Sequence, residues 1–277
     1  MTMLSINTNI GALNASQSSY SVNKSMEASM ERLSSGKRIN AGADDAAGLF
    51  ISKRMTGEIQ GLNQAVRNAA DAQAFLQTAE GAMEEVHTIL LRIRELAVQA
   101  SNGTYTAQDR IALQAEVGDL QNEINRIATD TTWNNIGLLS GAGSTGVTFQ
   151  IGADNTQTMT VSISRVTIST QGIAISTANQ LTTAAAAMVY ISTIDTAISI
   201  ISTNRGTYAA AINRLDHAMA NMQNVATNLS AAKGRIEDAD FAAETSNLAR
   251  VQVLQQASMS MLAQANASKQ NILSLFQ

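Results

Sequence analysis

Apolar side chains recur at steps of three and four along most of this chain. Ile59, Leu62, Val66, Ala69, Ala72, Leu76, Ala79, Met83, Val86, Leu90, Ile93 and Ala97 hold that spacing with a single repeated three. The pattern predicts a helix starting near Asp44 or Asp45, with a coiled-coil-like seam and one local phase shift. A span of about fifty residues is ~75 Å long, which exceeds the helices of a compact globule. The stretch SNGTYTAQD predicts its end, with Gly103 as the stop, and Thr106 followed by Asp109 predicts a capped start for the next helix. The inner row of that helix is Leu113, Val117, Leu120, Ile124 and Ile127.

The period then changes. Val147, Phe149 and Ile151, followed by Met159, Val161 and Ile163, alternate as in a half-buried β-hairpin near 147–163. Ahead of it, TTWNNIGLLSGAGSTG is turn-like, and Trp133, the one tryptophan, is expected to anchor it to neighbouring helices. The Ser- and Thr-rich passage 167–183 fits no single template. Strict heptad spacing follows at Ile191, Ile194, Ile198, Ile201, Arg205, Tyr208, Ile212, Leu215, Met219, Met222, Ala226, Leu229, Lys233 and Ile236. The stems of Arg205 and Lys233 can bury methylenes while their charges reach the edge, so the seam survives both. Each end carries a weaker stripe: Ile6, Ile10 and Leu13, then Met26, Met30 and Leu33; and at the other end Val251, Leu254, Ser258, Met261, Ala265, Ser268, Ile272 and Leu275, with Leu262 beside the row. The expected fold is mainly α, an elongated bundle of long antiparallel, coiled-coil helices with a small β-hairpin.

Composition narrows the function. Hydrophobic residues make up 45%, aromatics 4%, and proline is absent, which favours uninterrupted helices held by small aliphatic contacts. Charged residues are 14%, against about 25% in an average soluble domain. The ends are poorest in charge: none falls in the first 23 residues, and Lys269 alone is ionisable in 251–277. A narrow apolar stripe flanked by Ala, Ser, Asn and Gln stabilises an isolated helix poorly. The same surface packs well when other helices surround it, because small side chains allow close approach and no charge must be desolvated. The ends are therefore expected to pair with each other and to order on assembly with further copies. Their composition alone also fits frayed helices closing a soluble bundle; the seam lengths favour the polymer, since a rod offers large lateral faces and non-closing head-to-tail contacts give filaments.

Other chemistry is weakly indicated. Without cysteine there is no disulfide, thiolate nucleophile or zinc–thiolate site. A net charge of -4 without a basic run speaks against nucleic acid. No window approaches eighteen apolar residues, which speaks against membrane insertion, and the start lacks the basic and apolar regions of a cleavable signal peptide. His87 and His217 have no ligand partners at metal spacing, and Glu84 and Glu85 are adjacent and share no helix face. GAGSTG lacks the Lys and Ser/Thr of a phosphate loop. Neither an enzyme nor a cofactor is expected.

Longer stretches carry a resemblance. INTNIGALNA, ERLSSGKRINAGADDAAGL, GLNQAVRNAADAQAFLQTAEGAMEEV, RIRELAVQASNGTYTAQDR and LQAEVGDLQNEINRIATDTTWNNIGLL stand on the N-terminal side, and NLSAAKGRIEDADFAAETSNLARVQVLQQASMSMLAQANASKQNILSLF on the C-terminal side. In their order and joint presence they resemble bacterial flagellin, the subunit of the flagellar filament. The resemblance implies paired termini, 1–41 with 238–277, forming an inner tube, and 42–237 forming an outer helical rod. Only 140–179 separates the recognisable portions, so large variable outer domains are not expected.

The resemblance further implies assembly with many copies of itself into a propeller filament outside the cell. It implies an export chaperone, an export apparatus, cap and junction proteins as partners, and passage unfolded without a cleavable signal. Absence of cysteine and proline is consistent with such transit. Alternative readings are a hook–filament junction protein and a secreted signalling or adhesive ligand. Gly36 and Gly42 suit turns between inner and outer helices, and Asp44 or Asp45 can cap the outer one. Arg235, Glu237, Asp238 and Asp240 mark the return, with ordinary surface salt bridges as the competing account. Arg92, Leu96 and Glu116 match family contacts to a host innate immune receptor, although Leu91 departs from the Gln of well-recognised members.

Overall fold

The computed structural model describes residues 8–141, 146–168, 172–173, 175 and 181–274, with side chains through 268. In chain order these form α1 (Ile10–Ser35), α2 (Ala46–Ser101), α3 (Ala107–Asp130), β1 (Thr132–Trp133), β2 (Ile136–Gly137), β3 (Val147–Gln150), β4 (Thr158–Val161), α4 (Ala184–Glu237) and α5 (Phe241–Ser274). Two compact units result: Met1–Ile59 with Thr227–Gln277, and Gln60–Ala226. Their division falls inside α2 and α4, while the helices themselves break near the 41/42 and 237/238 boundaries read from the sequence.

In the unit Gln60–Ala226, α2 and α4 run antiparallel. Gln73 bonds to Asp216, Arg205 to Glu80 and Arg94 to Asp195, so rising numbers on one helix meet falling numbers on the other. The α2 seam is buried from Leu62 through Leu76, Leu90 and Ile93 to Ala97, with Val66 half-buried beside a fully buried Ala65; Ile59, in the other unit, is half-buried. On α4, Ile194, Ile201, Tyr208, Leu215 and Met222 are buried. The second row is corrected: Tyr190, Ala197 and Ala211 are interior, and Ile198, Arg205 and Ile212 are half-buried. Alanine admits the neighbouring helix more closely, so steric fit outweighs the greater apolar area of isoleucine. The same one-residue shift affects α3, where Val117 and Ile124 are buried, Leu113 and Leu120 are half-buried, and Gln121 and Arg110 are interior.

The corner between α2 and α3 is built from caps. Thr106 and Asp109 form a reciprocal capping box, and the Arg110 guanidinium donates to the Ala100 and Asn102 carbonyls at 2.8 and 2.9 Å. These are end carbonyls that the helix cannot satisfy itself. After α3, β1 and β2 close through Asn134 and Asn135 at φ of 47° and 64°, the two left-handed residues of a tight hairpin turn. Trp133 then meets Phe75 of α2 in a T-shaped contact, and Phe75 meets Phe149 of β3 likewise. β3 and β4 pair antiparallel with Val147 opposite Val161 and Phe149 opposite Met159.

One expectation on hydropathy is corrected. An 18-residue window within α4 is apolar enough, by length and composition, to cross a membrane. The reason is local: between Ala184 and Asn204 the only charge is Asp195, among Ala, Ile, Ser and Thr. Asp195 pairs with Arg94, and Tyr190, Ile194, Ala197 and Ile201 are buried in the unit.

In the unit Met1–Ile59 with Thr227–Gln277, α1 and α5 pair antiparallel. Asn9 caps α1 and donates to the Ala265 carbonyl at 3.1 Å, the Gln255 amide donates to Asn23 at 2.9 Å, and Arg32 lies 3.9 Å from Glu244. The covered positions step by three and four on both helices: Ala12, Ala15, Ser19, Val22, Met26, Ser29 and Leu33 against Glu244, Leu248, Val251, Gln255, Ser258, Leu262 and Ala265.

Candidate assembly site

Two chain reversals carry α1 and α5, and both are built from main-chain geometry. α1 ends at Gly36, whose φ of 71° lets its N–H return to the Arg32 carbonyl. Lys37 then pairs antiparallel with Asp238: the Arg38 N–H donates to the Glu237 carbonyl at 2.6 Å, and the Ala239 N–H to the Gly36 carbonyl at 3.0 Å. The Arg38 guanidinium also donates to the Ile236 carbonyl at 2.8 Å. In the outgoing turn, Asp44 accepts the Asn40 and Ala41 N–H groups, which hold its carboxyl below the usual carboxylate range. Asp45 accepts from the Gly48 N–H at 2.9 Å and caps α2. On the return, the Asp238 N–H donates to the Gly234 carbonyl, and Asp240 accepts from Ala242 and Ala243 to cap α5.

Glu237 lies at the centre. It is 5% exposed and takes the Ser52 hydroxyl and the Lys37 ammonium at 2.5 Å each, with the Lys233 ammonium at 3.7 Å. Lys37 first and Ser52 second hold its carboxyl below the ordinary glutamate value. Arg235 is exposed. Gly42 is an ordinary turn residue, since a Cβ there would meet Leu49 only at 3.8 Å. The glycine that close packing requires is Gly48, where a Cβ would fall 2.5 Å from Asp45 Oδ2 and 2.7 Å from Ile39 Cδ1. Its position three residues after a capping aspartate was the available signal.

Of the stripes expected at the ends, Met26, Leu33, Val251 and Leu262 lie on the α1–α5 seam. Ile10, Leu13, Met30, Leu254 and Met261 stand off it and are exposed, together with Tyr20, Val253 and Met259. Ile6 and Leu275, and the side chain of Ile272, lie outside the described residues. Where the two helices touch, Ala, Ser and Gln share the seam with Val22, Met26, Leu33, Leu248, Val251 and Leu262, while several other large apolar side chains stay exposed. A groove of about 450 Å³ runs beside it, lined by Gly11, Ala15, Ser18, Ser258, Met261 and Ala265.

On α2 and α3, Arg92 bridges Glu95 at 2.6 Å and Glu116 at 2.8 Å. Leu96 is 1% exposed, so that row offers Arg92 and Glu116 to a partner and keeps Leu96 in the core. His87 is half-buried with an enclosed, unpartnered Nδ1, and His217 is exposed. Among the described residues no three His, Cys, Asp or Glu side chains gather as metal ligands would. The geometry presents side chains for packing.

Comparison with known proteins agrees along nearly the whole chain. Residues 6–145 match the bacterial flagellin N-terminal helical region, and 191–276 the C-terminal helical region. A flagellin of Halalkalibacterium halodurans is 42% identical over 273 residues, covering 98% of this chain and 99% of its own. The flagellin of Bacillus subtilis is 39% identical over 302 residues, and a flagellar filament 33 kDa core protein of Treponema phagedenis 38% over 284, each with the same coverage. With both helical regions matched in order and relatives aligned end to end, the chain belongs to the bacterial flagellin family.

Proposed function

We propose that this chain is a structural subunit that polymerises into the helical bacterial flagellar filament, outside the cell, and serves as a propeller for swimming. One observation carries the reading. About half of the α1–α5 seam is Ala, Ser and Gln, and the pair leaves Leu13, Met30, Leu254 and Met261 uncovered. Large apolar side chains left exposed on the pair are available to a binding partner, and covering each fully is worth about 1.5–3 kcal/mol. Further copies of the same pair supply matching surfaces. In this reading 1–41 and 238–277 form the inner tube and 42–237 the outer rod.

Family membership supports the remaining partners: an export chaperone, the export apparatus, and cap and junction proteins, with transit that needs no cleavable signal. An innate immune receptor would meet Arg92 and Glu116, already engaged with each other, without Leu96.

Seeded polymerisation tests the proposal. Leu13→Asp and Leu254→Asp alter exposed positions and should leave the helical content of the monomer unchanged while preventing elongation from seeds. Filaments of normal length from both variants would refute the inner-tube assignment.

A further inference from the structure

We infer that Glu237 is the positioning residue that couples the two chain reversals beneath the α1–α5 pair, so that the pair is set for assembly only while one carboxylate engages Lys37, Ser52 and Lys233 together. The three partners come from three elements: Lys37 follows α1, Ser52 sits in the second turn of α2, and Lys233 lies in the last turn of α4. Both ends of the residue take part. Its carbonyl accepts the Arg38 N–H while its side chain binds the neighbouring Lys37, so the outgoing reversal is tied twice to a residue of the returning one.

The competing account is a surface salt-bridge cluster. Exposed pairs contribute little to stability, and such a cluster would be dispensable. Glu237 is enclosed and shares a buried hydroxyl, and a charge in that setting depends on every partner, because losing one leaves the others uncompensated. Ser52 gives the discriminating prediction. A hydroxyl on α2 has no direct bond to the Arg38 or Ala239 amides, and it can influence them through Glu237.

The assembly half of the inference rests on the filament reading, and the coupling half does not. Hydrogen exchange on the unassembled full-length chain separates them. E237Q should raise exchange at the Arg38 and Ala239 amides on the order of tenfold, with protection within Gln60–Ala226 unchanged. S52A and K37M should each loosen both amides, and adding either to E237Q should change little further, the mark of residues acting through one group. Unchanged amides in E237Q, effects of S52A confined to α2, full additivity, or a uniform rise over the whole chain would each overturn the coupling. In seeded elongation E237Q should grow poorly where wild type grows well. Normal growth of E237Q with both amides loosened would overturn the assembly half, and failure of wild type itself would overturn the filament reading alone.

Discussion

Inside the unit Gln60–Ala226 the Gln121 side-chain amide donates to the Tyr190 phenol oxygen at 2.7 Å, with the two residues 2% and 1% exposed. This bond ties α3 to α4 at a place where an apolar residue would ordinarily stand, and burial pushes the phenol up to about 12.

The two partners should therefore be energetically coupled. Gln121→Leu removes the donor to a buried hydroxyl and should lower stability by about 1–3 kcal/mol, and Tyr190→Phe should lower it too by removing that acceptor. The double variant should lose clearly less than the sum. Urea unfolding of the four proteins checks this.

Gly48 should be the least replaceable glycine of the reversals. Asp45 is committed to capping and Ile39 is buried, so neither yields easily to a new Cβ. Gly48→Ala should destabilise by about 1–3 kcal/mol, while Gly42→Ala should be nearly silent, as thermal melts of both would record.

Acid should act on the reversals. Glu237 is held below its ordinary value of 4.5 by Lys37, by the neutral Ser52 hydroxyl and by Lys233; the two lysines stay charged in acid, with Arg38 and Asp238 the other charged groups alongside. A depressed carboxylate adds stability that is fully present above the unfolded value and disappears as pH falls through the folded one. Asp44 has the same sign. The advantage of wild type over E237Q in unfolding free energy should thus be flat near neutrality and shrink below about pH 4.5; an advantage independent of pH down to 3 would contradict it.

Phe75 should hold both hairpins. It contacts Trp133 and Phe149 edge-on, and Phe75→Ala should cost about 3–5 kcal/mol. Because Trp133 is the only tryptophan, its emission should shift to longer wavelength in the variant under native conditions.

Helix content, the hairpin, the cap at Thr106 and a cap at Asp44 or Asp45 were readable because period and capping are local properties, whereas Asp240 was marked only as part of the return junction. The α2 seam was readable too, since large apolar residues and burial coincide there. Legibility failed where burial is decided by fit. Ala197 displaced Ile198, Ala211 displaced Ile212 and Gln121 displaced Leu120, because interhelical distance and a cross-helix hydrogen bond outweigh hydrophobicity at those points. Glu237 was noticed as one acid in a charged cluster, but its partners Lys37 and Ser52 are distant in sequence, and no local pattern ties them together.

Arg110 has a practical consequence. Its guanidinium clamps the Ala100 and Asn102 carbonyls at the end of α2 directly, and should hold that corner independently of the exposed residues Gly103 and Thr104. A short epitope or fluorophore-binding tag spliced between them would ride on the molecule without slackening the corner beneath, which makes this the natural place to attach a visible handle.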